Sequence, residues 1–103
     1  MKIFVFNFDV KPETGFHLST AGGNATVYCQ GASLNEALKR AMAHVAERHW
    51  KISGKATDAF EYNPELHGLH GEGLKLCRQA QLSGIAMGVV ARGFDPNLGS
   101  PNN

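Results

Sequence analysis

Ile3-Phe4-Val5-Phe6-Asn7-Phe8-Asp9-Val10 is the stretch that decides the fold. Its side chains alternate, with Ile3, Val5, Asn7 and Asp9 in one row and Phe4, Phe6, Phe8 and Val10 in the other. Period two in β-branched and aromatic residues marks a strand, and the phenylalanine row must face a core. The opposite row, half apolar and half polar, is expected to face outward. Downstream, Lys11-Pro12-Glu13-Thr14-Gly15 has turn chemistry, because proline sets φ and glycine tolerates φ > 0. Phe16 to Thr20 resumes the alternation, Ala21-Gly22-Gly23-Asn24 reads as a second turn, and Ala25 to Gln30 as a third strand. Three strands joined by short turns predict an antiparallel meander.

Ser33-Leu34-Asn35-Glu36 then forms a capping box. The serine hydroxyl can accept from the Glu36 N–H, while the glutamate carboxylate reaches back to the Ser33 N–H. Leu34, Ala37, Leu38, Ala41, Met42 and Val45 follow at helical spacing, predicting a helix over about 33–50 with that stripe buried. Lys55 to Tyr62 reads as a fourth strand, and Asn63-Pro64 as a cap followed by a first helical residue. A second helix runs to about Leu82, although Gly68, Gly71 and Gly73 argue that it starts only near Glu72. Ser83-Gly84 ends it, and Ile85 to Arg92 is an apolar run that suits a buried strand. The expectation is one α+β domain over 1–93 with a flexible C-terminal tail over 94–103. Its antiparallel or mixed sheet has the order β-β-β-α-β-α-β, with two helices on one face.

A chain of 103 residues with 43% hydrophobic residues and six phenylalanines can close one core without a disulfide or metal staple. Ten Lys plus Arg balance nine Asp plus Glu, a net charge of +1. That balance disfavours a dedicated nucleic-acid binder, whose affinity rests on neutralised phosphates. The apolar start is interrupted by Asn7 and Asp9 too early for a signal-peptide core or a membrane span. The chain therefore reads as cytoplasmic, and Cys29 and Cys77 as reduced, partly buried thiols.

Gly15-Phe16-His17-Leu18-Ser19 and Cys29-Gln30-Gly31-Ala32-Ser33-Leu34-Asn35-Glu36-Ala37-Leu38 resemble the HicB family of antitoxins. Phe16 after Gly15 matches that family's glycine–aromatic start to a second strand. Gly31, Ser33, Glu36, Ala37 and Leu38 match its lead into the helix. The resemblance spans the first half of the chain, and implies sheet- or helix-mediated binding of a small toxin protein rather than chemistry.

Two clusters invite a site. His67 and His70, three apart in a Gly/His-rich loop over 67–73, could meet a metal together with Cys77. The spacing matches no standard four-ligand framework, so solvated histidines are the preferred reading and no cofactor is expected. His44, Arg48, His49 and Trp50, with Lys51 beside them, form a basic–aromatic patch at the end of the first helix. The negative end of the helix dipole is a sufficient reason for those cations. Nothing places a base beside either cysteine, and the carboxylates are scattered, so no catalytic residue is assigned and the chain reads as a non-enzyme. The functional expectation is a protein-interaction module, binding a protein partner or self-associating as a homo-oligomer through its sheet. The alternative is a small metal- or ligand-binding protein using the 67–73 loop.

Overall fold

The computed structural model describes residues 2–63, 68 and 71–93. Along the chain run β1 (Lys2–Pro12), β2 (Thr20–Gly31), α1 (Leu34–Glu47), β3 (Trp50–Ile52), β4 (Asp58–Glu61), α2 (Glu72–Ser83) and β5 (Ile85–Gly93). The fold is α+β, and every strand pairing in its sheet is antiparallel. β1 pairs on one side with β2 over its length, and on the other with β3 near its C-terminal end and β4 near its N-terminal end. β2 in turn pairs with β5, giving the spatial order β3-β1-β2-β5 with β4 beside β1. The observed sequence of elements is thus β-β-α-β-β-α-β, not the expected β-β-β-α-β-α-β.

The difference arises at two places. Phe16–Thr20 does not form a strand of its own: residues 13–19 are turns, and only Thr20 joins β2. The glycines expected to make a second turn lie inside β2. A Cβ on Gly23 would overlap the Val90 carbonyl oxygen and stand 2.8 Å from the Ala91 Cα, so glycine is needed there for close strand approach. Gly22, at φ +144°, accompanies a register irregularity between Thr20 and Gly22. The second place is the end of α1, which stops at Glu47 rather than near Trp50. His49 takes φ +65° there, and its N–H bonds to the Ala46 carbonyl, releasing Trp50–Ile52 to pair with β1.

The two helices cover opposite faces of the sheet, contrary to the expectation of one face. Phe4, Phe6, Phe8, Val10, Ala25, Val27 and Cys29 pack under Ala37, Ala41 and Val45 of α1, with Trp50 closing one end. Ile3, Val5, Tyr28 and Ala86 lie on the other side, under Leu76, Cys77 and Ala80 of α2. The physical reason is in β1 itself. Its second row begins with Ile3 and Val5, both buried, and apolar residues of that kind require a cover. Only the continuation of that row, Asn7 and Asp9, remains outside a core; there Thr26 Oγ1 donates to Asn7 Oδ1 at 2.6 Å.

Local signals hold the helices in register. The Glu36 N–H donates to Ser33 Oγ at 3.2 Å, while the Glu36 carboxylate accepts from Ala32 N–H, one residue before the expected donor. Ala37, Ala41 and Val45 are fully buried and Leu38 half-buried, whereas Leu34 and Met42 are 39% and 44% exposed, so the stripe is narrower than predicted. α2 starts at Glu72, as the glycines argue. It ends at Gly84, whose φ of +92° lets its N–H bond the Ala80 carbonyl. Gln30 Nε2 donates to the Ala80 and Gln81 carbonyls, tying that helix end to β2. No helix of the described residues is long and apolar enough to cross a membrane. The expected tail at 94–103 and the Asn63-Pro64 helix start lie wholly or partly outside the described residues.

Candidate functional site

The two sides of the sheet end differently. Beyond β1 stand β3 and β4, of three and four residues, carrying Lys51, Asp58 and Glu61. Short, charged strands are a common way to stop a sheet from growing by accretion. Beyond β2 stands β5, nine residues long, and from Ile85 to Ala91 it contains no charged residue. Among the described residues no strand pairs with its outer edge. The expectation of a buried strand is therefore corrected: among the described residues β5 is an edge strand, with Val90 78% exposed.

Hydrogen-bond parity shows which groups that edge presents. Gln30 N–H donates to the Gly84 carbonyl at 2.8 Å, and the register places Tyr28 opposite Ala86 and Thr26 opposite Gly88. Alternation then turns the backbone groups of Ala86, Gly88 and Val90 toward β2, and those of Ile85, Met87, Val89 and Ala91 away from it. Their side chains sort the other way across the sheet. Ile85, Met87 and Val89 pack on the α1 core, while Gly88 and Val90 lie on the α2 side. A groove of about 320 Å³ opens on that side, lined by Thr26, Tyr28, Glu72, Leu76, Gly88 and Val90 among others. Leu76 crosses directly above Gly88, where an added Cβ would stand 2.9 Å from Leu76 Cδ1.

The basic–aromatic patch expected at His44, Arg48, His49 and Trp50 is brought together, but by partners the helix pattern does not reveal. The turns at 13–19 fold over the end of α1. Phe16 stacks on His49 with centroids 3.7 Å apart and planes 5° apart, and His17 stacks on Trp50 at 3.9 Å. His17 Nε2 lies 2.9 Å from the Arg48 carbonyl; since a carbonyl only accepts, Nε2 carries the proton. His49 Nδ1 likewise donates to Glu13 Oε1 at 3.4 Å. Arg48 turns back along its helix to donate to His44 Nδ1 at 3.3 Å and to the His44 carbonyl. Burial, reinforced by the Arg48 charge, holds the His44 pKa below the usual imidazole value. His17 and His49 are the two non-glycine residues with positive φ among those described. His17 Nε2, His49 Nδ1 and one Arg48 nitrogen are bonded within the protein, and the stacked rings form a clasp that closes the core over Trp50. No sequence signal pairs Phe16 with His49, because both neighbours are set by tertiary contact.

His67 and His70 lie outside the described residues. Cys77 is buried in the α2 core and Cys29 in the α1 core, so the sheet separates the two thiols, and both are free. Burial raises both thiol pKa values, with Arg40 partly opposing the rise at Cys29. No group of three or more His, Cys, Asp or Glu that could hold a metal occurs among the described residues. No family model, curated protein or solved structure matches this chain.

Proposed function

We propose that this chain is a non-catalytic protein-interaction module whose working surface is the outer edge of β5. The observation that supports this most is the contrast between the two sheet margins. One is blunted by short charged strands, while the other is long, free of charge from Ile85 to Ala91, and offers the N–H and C=O groups of Ile85, Met87, Val89 and Ala91. Such an edge captures an extended segment by strand addition: backbone hydrogen bonds supply affinity, and alternate side chains meet the flanking groove. The buried, raised-pKa thiols and the internally bonded histidines favour binding over chemistry. The HicB-like lead into α1 from Gly31 to Leu38 points the same way, toward protein recognition.

The test is amide exchange on the chain purified together with whatever protein it carries from its native cell. Strand addition protects the Met87, Val89 and Ala91 amides. Val89→Pro, which removes an outward N–H without touching the bonds to β2, abolishes the association. A partner that stays bound to Val89→Pro and leaves those amides exchanging freely would overturn the proposal.

A further inference from the structure

The β5 edge is self-complementary, and we infer that its occupant is the β5 strand of a second copy, paired antiparallel about a two-fold axis at Val89. This rests on the interaction reading above and names its partner. Three features select that register. First, Val89 is the central residue of Ile85–Gly93, so an axis there aligns the strand end to end, with Met87 opposite Ala91 and Ile85 opposite Gly93. Second, parity is satisfied. Residues 85, 87, 89 and 91 all face outward, and an antiparallel axis through a residue, rather than between two, sets odd against odd, so the outward donors meet acceptors; the end-to-end alignment and the side-chain fit then choose Val89 over its neighbours. An axis between two residues would leave those groups facing inward-turned partners.

Third, the side chains fit. With Val89 on the axis, each copy's Val90 comes opposite the other's Gly88, on the same face of the joined sheet. Val90 is the exposed large apolar residue of this strand, and Gly88 has no side chain to obstruct it. Val90 would lie against the partner's Leu76 where it crosses Gly88, at the mouth of the groove. No charge lies between Ile85 and Ala91, and Arg92 comes opposite the partner's Ala86, so the two-fold sets no like charges opposite one another. An isologous contact of this kind closes after two copies, whereas an edge accepting any strand would leave the long apolar margin open to uncontrolled accretion. The contact is roughly 30 Å long and one strand wide. That falls short of the about 800 Å² per partner of a standard interface, so the dimer should dissociate on dilution.

Sedimentation equilibrium of the full chain tests this. Wild type should show a monomer–dimer equilibrium starting from 11.1 kDa, and both Val89→Pro and Val90→Lys should be monomers with an unchanged far-UV spectrum. Register is read by disulfide trapping. Val89→Cys should cross-link to itself, while Met87→Cys and Ala91→Cys should cross-link when mixed and not separately, since facing Cα atoms lie about 5.5 Å apart. A wild type that stays monomeric at millimolar concentration would overturn the self-pairing. So would a dimer that survives Val89→Pro, or one trapped in another register. The amide-exchange experiment on a captured partner decides the edge reading separately, because a monomer can still bind a different strand there.

Discussion

The imidazole of His17 lies face to face with the indole of Trp50, their ring centroids 3.9 Å apart and their planes 15° from parallel. This contact fastens the 13–19 turns to the end of α1, and Trp50 is the only tryptophan in the chain. His17→Asn keeps a residue that tolerates the positive φ of 50° but removes the stack. It should cost about 0.5–1.5 kcal/mol in a urea melt. Trp50 emission should shift to the red as the indole gains water; an unchanged spectrum would mean that the clasp does not shield it.

His44 should make stability depend on pH. Its pKa is lowered in the fold by burial and by Arg48, so the native state binds the proton less readily than the unfolded chain. The His44 contribution is therefore complete above the unfolded imidazole value of about 6.5, and is lost as pH falls through the folded value. Compared with His44→Gln, wild type should lose more melting temperature between pH 7.5 and 5. Parallel pH profiles for the two would show that His44 titrates as in water.

Much of this architecture is legible in the chain, and the misses share a cause. Ile3–Val10, the Ser33–Glu36 cap and the Gly84 stop are local signals, fixed by period two, side-chain capping and positive φ. The placement of α2 is also written in the chain, in the second apolar row of Ile3 and Val5, which needs a cover of its own. Gly22-Gly23 is ambiguous because two glycines mean either a turn or a close approach, and only the neighbouring β5 backbone distinguishes them. The edge character of β5 has the same origin: an apolar run looks alike whether one neighbour is present or two. The stacking of Phe16 and His17 onto His49 and Trp50 crosses more than thirty residues and leaves no periodic trace.

Gly23→Ala tests the close approach of β2 and β5. The added methyl would meet Val90 and Ala91 backbone atoms, which cannot rotate away, so the substitution should cost about 1–3 kcal/mol or more and loosen β5. Gly88→Ala instead meets the flexible end of Leu76, and should be the milder change. Thermal melts of both, with amide exchange along β5, make the comparison. Equal cost at the two sites would place β5 farther from β2 than the structure has it.

Ser33→Ala should destabilise the fold by about 1 kcal/mol, because Glu36 N–H loses the hydroxyl at 3.2 Å. Glu36→Ala should add to this, since Ala32 N–H then loses its carboxylate acceptor. Val45→Ala, at a fully buried position of the same helix, should cost more than Met42→Ala, whose side chain is 44% exposed. The reverse order in denaturant melts would rotate α1 about its axis.

Cys29 and Cys77 should behave as two independent, protected thiols. Cys29 lies beneath α1 and Cys77 beneath the other face of the sheet, so no disulfide can join them without unfolding. Burial raises both pKa values, which lowers the thiolate fraction available to an alkylating reagent. At pH 8, labelling of native protein should be far slower than in denaturant, with the rate set by opening of the surrounding structure. Cys77 sits on α2, at the margin of the fold, whereas Cys29 sits in β2 between two paired strands. Release of α2 alone exposes the first thiol, while reaching the second requires parting the α1 core. Mass spectrometry over a labelling time course should therefore show Cys77 modified before Cys29. Simultaneous modification would mean that α2 and the central sheet open as one unit, and a mild oxidant that gave an intramolecular Cys29–Cys77 disulfide in folded protein would contradict the placement of the helices on opposite faces.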